Sequence, residues 1–113
     1  NLDDPDVFYN VGVIYQRLAA THYDNGFEGY NRSNASDNID ETTIQSSYSD
    51  FKYSYEMTQK ALEYFMESSM VEESENNSTD SAIDEMRRLR KNLKEIYIPS
   101  IEKIAIDNNI ELI

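Results

Sequence analysis

The chain has 113 residues, of which 22 are acidic and 10 are basic, so its formal net charge is -12. This length fits one domain, and the acidic balance disfavours binding to nucleic acid or to anionic membrane surfaces, which attract cations. There is no Cys, which excludes disulfides and thiolate metal sites. No apolar run approaches the roughly 18 residues of a membrane span. The composition leaves the compartment open.

The first predicted helix covers about residues 5–23. Asp4 is a favourable N-cap, Pro5 suits the first helical position, and Asp6 places negative charge in the first turn. Residues at helical spacing form its expected inward face: Phe8, Val11, Gly12, Tyr15, Leu18 and Ala19. Gly12 costs about 1 kcal/mol relative to Ala in a helix, so its place on this face indicates that another helix passes close by.

A long loop is predicted over residues 24–47. Asn25-Gly26 is a typical helix stop, although weak helix formers near Thr21 would allow an earlier end. The stretch is rich in Asn, Ser, Asp and Thr, and few of its side chains are large and apolar: Phe27, Tyr30, Ile39 and Ile44. We therefore expect a short Gly/Ser linker in place of residues 29–44 to leave folding nearly intact, because loop-closure costs grow only logarithmically.

Three further helices are predicted, over about residues 48–71, 80–98 and 99–108, with a polar connector before the third. The inward face of the second helix includes Phe51, Thr58 and Phe65, widened by Met66 and Met70. Pro99 ends or kinks the third helix, and Asn108-Asn109 stops the fourth. The sequence thus predicts one all-α domain, residues 1–113, built of about four helices in antiparallel hairpins.

Phe8-x-x-Val11-Gly12-x-x-Tyr15 resembles the first-helix motif of tetratricopeptide repeats, with Phe and Val in place of the commoner Trp and Leu. Ala61-x-x-x-Phe65 resembles the second-helix part of that motif, although the usual closing Pro is absent. Leu93-x-x-x-Tyr97 repeats the spacing of Val11 and Tyr15 in a degenerate second copy. Because an ordinary repeat has nearly adjoining helices, the resemblance requires a long insertion at the tip of the first hairpin.

The resemblance implies a scaffold without cofactor or metal that binds a protein or peptide in a groove lined by the first helix of each hairpin. Carried onto this chain, the groove residues are Asp6, Tyr9, Asn10, Val13, Gln16, Arg17, Arg88, Lys91 and Glu95. A structural spacer or oligomerisation segment without a ligand of its own is the alternative. A pull-down with Tyr9 and Arg88 changed would separate the two.

Two other features have competing interpretations. His22 is the single histidine and would need Asp24 or Glu28 to form a site, so a surface histidine is the better interpretation, and no motif indicates an enzyme. Five cations lie between residues 87 and 94: Arg87, Arg88, Arg90, Lys91 and Lys94. They form either a basic strip for a partner or a local balance through pairs such as Asp84 with Arg88.

The two ends of the chain give the last expectations. The chain begins at a helix cap without Met, which we interpret as a piece of a longer protein or a processed form, so a missing signal segment says nothing about localisation. The tail after Asn109 is apolar, with Ile110, Leu112 and Ile113. We expect it either to form a weak homodimer or to dock onto the third helix.

Overall fold

The structure, a computed structural model, describes residues 4–35, 39–71 and 77–113. It contains α1 (Pro5–Ala35), α2 (Glu41–Val71), α3 (Asn77–Asn92), a π-helical turn (Leu93–Tyr97) and α4 (Ile98–Asp107). No strand occurs in these ranges, so the predicted all-α fold class is confirmed. The helices form an elongated body of 54 × 21 × 17 Å, in which α1 and α2 run antiparallel along each other.

The two long helices begin at aspartate caps. The backbone N–H of Asp6 donates to the Asp4 carboxylate at 2.9 Å, which confirms the predicted cap of α1. Asp40 caps α2 in the same way, accepting from the Thr42 N–H at 3.3 Å and from the Thr43 hydroxyl at 2.7 Å. These hydrogen bonds, above all the one from Thr43, lower the pKa of Asp40.

The predicted loop over residues 24–47 is wrong, as is the predicted end of the first helix at residue 23. α1 continues to Ala35 and α2 begins at Glu41, seven residues before the predicted start. Gly26 is not a helix stop, because no described glycine has a positive φ. It is buried in α1, where a Cβ atom would lie 2.7 Å from the ring of Phe51. Residues 36–38 lie outside the described ranges.

The hairpin is built on a seven-residue repeat of buried positions. On α1 the repeated position is always small: Gly12, Ala19, Gly26 and Ser33. On α2 a second small position repeats with the same period: Ser47, Ser54, Ala61 and Ser68. A larger residue precedes each of these by three positions: Ile44, Phe51, Thr58 and Phe65. A seven-residue period keeps one seam of each helix facing the other.

Hydroxyl groups of the small α2 positions bond across this seam. Ser47, Ser54 and Ser68 donate to the backbone carbonyls of Gly26, Ala19 and Pro5, respectively. The Ser54 bond measures 2.7 Å and the Ser68 bond 2.9 Å, which requires the two backbones to lie close together. These buried serines are therefore part of the helix-helix contact.

Gly12→Leu is expected to lower the free energy of unfolding by roughly 1–3 kcal/mol, because a Cβ at this position would lie 2.7 Å from the Phe65 ring. The close approach predicted for Gly12 is thus present, although the approaching group is a ring rather than a backbone. Urea denaturation measures the loss. Ala20→Leu adds similar bulk at an exposed α1 position and should change stability by less than about 0.5 kcal/mol. Equal effects of the two substitutions would contradict this packing.

The shorter helices complete two core clusters on one side of the hairpin. The first joins the C-terminal half of α2 to α3 through Ala61, Leu62, Phe65, Ala82, Ile83 and Met86. The second joins the N-terminal part of α2 to the π-helical turn and α4 through Ile44, Phe51, Leu93, Ile101 and Ala105. Three residues expected to face inward are exposed instead: Leu18, Met66 and Met70.

The third helix differs from the predicted range 80–98. It begins at Asn77, and its α-helical part ends at Asn92, where the π-helical turn begins. The Ile98 N–H donates to the Leu93 carbonyl, five residues earlier. Because Pro99 follows directly and has no N–H, the wider turn lets the chain continue into α4. α4 begins and ends within one residue of its predicted bounds. The part of the predicted connector at residues 72–76 lies outside the described ranges.

Tyr97 in the π-helical turn is the centre of an aromatic cluster. Its ring centroid lies 5.5 Å from those of Tyr23, Phe27 and Phe51, and 6.1 Å from that of Tyr30. Burial, and then hydrogen bonding to Tyr97, raise the pKa of Tyr23 well above its usual range. These ring contacts pack the π-helical turn against the C-terminal part of α1, most of which the sequence predicted to be a loop.

The apolar tail folds back on the molecule. Asn109 has a φ of 54°, and the Ile110 N–H donates to the Ala105 carbonyl at 2.8 Å, as in a Schellman motif. The Gln45 side chain donates to the Glu111 carbonyl at 2.8 Å, and Ile110 and Leu112 pack against the second core cluster. The tail therefore docks against the start of α2 rather than onto the third helix alone.

Candidate functional site

The predicted groove residues on α1 do not form an open surface. Tyr9 and Val13 are half-buried and pack against the first core cluster, which includes residues of α3. The Gln16 amide donates to the Glu85 carboxylate of α3 at 3.1 Å. The other predicted groove residues of α1 are exposed: Asp6, Asn10 and Arg17. α3 therefore contacts one of the predicted groove residues of α1, Gln16, directly.

The predicted groove residues near the C-terminal end of α3 lie elsewhere. Arg88, Lys91 and Glu95 are exposed, and the last two face α2 rather than α1. They line a depression of about 480 Å³ whose α2 wall is Tyr55, and we call it the basic groove. Its lining residues are Tyr55, Arg87, Arg90, Lys91, Lys94 and Glu95. Four of the five clustered cations thus share one groove, while Arg88 lies outside it.

The cations of the basic groove have no acidic partner among the described residues. Across the described residues, the ion pairs within 4.0 Å are His22–Asp50 and Lys103–Asp107, and neither involves a cation of the groove. The Asp84–Arg88 pair, one of the two alternatives for these cations, is therefore not formed. On a chain with 22 acidic and 10 basic side chains, four clustered cations facing a single lining carboxylate, that of Glu95, create a local field opposite to that of the whole molecule.

A second depression adjoins the basic groove at Arg87, and we call it the methionine pocket. It has a volume of about 460 Å³ and is lined by Met66, Ser69, Met70, Asp80, Ile83, Asp84 and Arg87. Met66 and Met70 are 44% and 79% exposed, which is high for residues of their hydrophobicity. Exposed methionines are adaptable contact groups, because their unbranched side chains adjust to different apolar surfaces.

A polar depression on the opposite side of the hairpin is the other candidate site. The His22 Nδ1 lies 2.9 Å from an Asp50 carboxylate oxygen, and the His22 and Tyr53 rings are 4.3 Å apart. The adjoining depression, of about 370 Å³, is lined by Asn25, Glu28, Gly29, Arg32, Thr42, Thr43, Ser46, Ser47 and Asp50. The partner of His22 is therefore Asp50 of α2, rather than the Asp24 or Glu28 suggested by the sequence.

Two hydroxyls of this polar depression already have structural partners. Ser47 donates to the Gly26 carbonyl and Thr43 to the Asp40 cap. A nucleophile needs a base within hydrogen-bond reach, and His22 bonds to Asp50 rather than to either hydroxyl. In the described ranges, no group of three or more His, Asp or Glu side chains is placed to hold a metal ion. The arrangement fits a link between α1 and α2.

Sequence reasoning missed three residues of the α2–α3 surface: Tyr55, Met66 and Met70. All three lie at helical spacing with buried residues of α2, so hydrophobic periodicity assigns them to the core. The sequence does carry one signal for them. The apolar face of α2 is wider than one packed helix can cover, so some of its residues have to be exposed. The spacing of Arg87, Arg90 and Lys94 likewise places them on one side of a helix.

Comparison with models of protein families, with curated proteins and with solved structures finds no match. The resemblance to tetratricopeptide repeats therefore stays a prediction. α1 and α2 have 31 residues each, whereas a complete two-helix repeat has 34. The fold defines an all-α protein built on a long antiparallel hairpin with two shorter helical segments packed along it. None of its described helices has the length and apolar character needed to cross a membrane.

Proposed function

We propose that this chain is a non-enzymatic interaction module that binds a peptide or protein segment in the groove between α2 and α3. The observation that carries this proposal is that Arg87 lines both the basic groove and the methionine pocket. Protein-binding surfaces combine apolar anchor sites with arginine-rich contacts, and both are present here. The site differs from the α1–α3 groove that the resemblance implies.

The proposal predicts that peptides selected on the 113-residue chain from an unbiased random peptide library bind this surface. NMR chemical-shift changes on binding should centre on Tyr55, Met66 and the segment 83–94. Arg90→Glu with Lys94→Glu should reduce binding roughly tenfold or more, because the reversed charges face the ligand. Lys52→Glu with Lys60→Glu makes the same change of net charge at exposed cations outside the groove, and should leave binding nearly unaltered.

A structural or oligomerisation segment is the second candidate, and a stripe on α1 favours it. Val7, Ile14 and Leu18 are 41%, 56% and 37% exposed and lie at helical spacing. The tail offers fewer exposed apolar residues than this stripe for the predicted homodimer. Ile113 is fully exposed, whereas Ile110 and Leu112 pack inward.

Sedimentation at increasing protein concentration separates the candidates. Failure to select any groove-binding peptide, together with a concentration-dependent mass abolished by Ile14→Asp and Leu18→Asp, would overturn the interaction proposal. Loss of the larger mass in Ile113→Asp alone would instead identify the tail as the contact.

A further inference from the structure

The two halves of the α2–α3 surface have opposite chemistry. At one end, Met66, Met70 and Ile83 provide apolar contact, and Asp80 and Asp84 provide negative charge. At the other end, the lining includes four cations and Glu95 as the one acidic residue. A bound segment is therefore subject to a gradient of charge along the groove. An acidic segment is favoured at the basic end and opposed at the methionine end.

The cations are suited to carboxylate groups in particular. Arg87 and Arg90 are one helical turn apart, and Lys94 follows one turn later. A guanidinium group binds a carboxylate through two parallel hydrogen bonds, and Lys91 and Lys94 add mobile positive charge. The ring of Tyr55 lies on the opposite wall. These groups lack described acidic partners, so a ligand carboxylate would not have to displace an existing ion pair.

The adjoining apolar pocket favours a peptide over a nucleic acid. A phosphodiester chain has no large aliphatic side chain for Met66, Met70 and Ile83 to contact. The net charge of -12 also repels a polyanion that extends beyond the basic groove. A short acidic segment with an apolar side chain satisfies both halves of the surface.

We propose that the occupant of the α2–α3 groove is an acidic protein segment with one large apolar anchor, the anchor filling the methionine pocket and its carboxylates lying against Arg87, Arg90 and Lys94. Ile83 and Arg90 are seven residues apart, or about 10.5 Å along a helix. An extended segment covers that distance in about three residues. This inference rests on the proposed function and specifies the class of its partner.

The test uses a fluorescent peptide with one leucine, then about three neutral residues, then a run of glutamates. The peptide is titrated onto the 113-residue chain and binding is followed by anisotropy. We expect saturable binding that weakens as salt is raised, because salt screens the carboxylate–cation attraction. Binding should fall roughly tenfold when the glutamates are replaced by glutamines, and to a similar extent with Arg90→Glu and Lys94→Glu. Replacing the leucine of the peptide with serine should also weaken binding.

The matched protein control is again Lys52→Glu with Lys60→Glu, and circular dichroism verifies that each variant is folded. Equal affinity for the glutamate and glutamine peptides, or equal losses in the two charge variants, would overturn the inference. Tighter binding of a single-stranded oligonucleotide than of the peptide would also overturn it. Neutral or basic library peptides that map to the groove, with no binding of the glutamate peptide, would overturn the inference and leave the proposed function standing.

Discussion

Replacing residues 29–44 with a short Gly/Ser linker is expected to abolish cooperative folding of the second core cluster. The replacement removes Ile44, which is fully buried, and Tyr30 and Ile39, which pack against that cluster. It also removes the last turns of α1 and the capped start of α2. Truncating one large buried aliphatic residue costs about 2–5 kcal/mol, and this change removes more than one such contact from a domain with about 5–15 kcal/mol in total.

Thermal and urea unfolding, followed by helical circular dichroism, measure this effect. A second variant, Asn31→Ala with Asn34→Ala, changes exposed positions of the same stretch and should shift stability by less than about 0.5 kcal/mol per site. The expectation from sequence was the reverse, namely that the linker would leave folding nearly intact. A cooperative transition with an unaltered midpoint in the linker variant would show that the stretch is dispensable for folding, and would contradict the packing of Ile44.

Phe51→Ala is expected to lower the free energy of unfolding by about 3–5 kcal/mol. The ring is fully buried, lies against Gly26 of α1, and stacks on Tyr97 of the π-helical turn with centroids 5.5 Å apart. Its removal leaves a cavity where three segments meet, and the close packing of the hairpin seam limits how far they can collapse into it.

Chemical denaturation of Phe51→Ala and Tyr53→Ala gives a matched comparison on the same helix. Tyr53 is 41% exposed and contacts His22, so its truncation should cost less than about 1 kcal/mol. Adding Gly26→Ala to Phe51→Ala should recover part of the loss, since the new methyl group occupies space left by the ring. Similar losses in the two single variants would show that the aromatic stack contributes little.

The candidate site was only partly predictable for a geometric reason. Basic character between residues 87 and 94 is visible in the sequence, because helical spacing alone groups Arg87, Arg90 and Lys94. The residues of the opposing wall are not visible in the sequence, because they depend on which face of α2 meets α3. Tyr55 and Met66 are separated from these cations by more than 20 positions, and no local pattern pairs them.

Local signals sufficed where the deciding interactions lie within one helical turn. The all-α class, the Asp4 cap and the stop at Asn108-Asn109 follow from spacing, propensity and capping. Each depends on neighbours in the chain, so the amino-acid sequence determines it without knowledge of the opposing helix.

The tertiary structure decided what depends on residues from another helix. Gly26 reads locally as a stop, but the Phe51 ring above it makes a small buried residue favourable there, and α1 continues. The Asp50 partner of His22 comes from α2, and the Glu85 partner of Gln16 comes from α3. Burial against a distant segment outweighs about 1 kcal/mol of local helix propensity, so the lengths of α1 and α2 were set by their mutual packing.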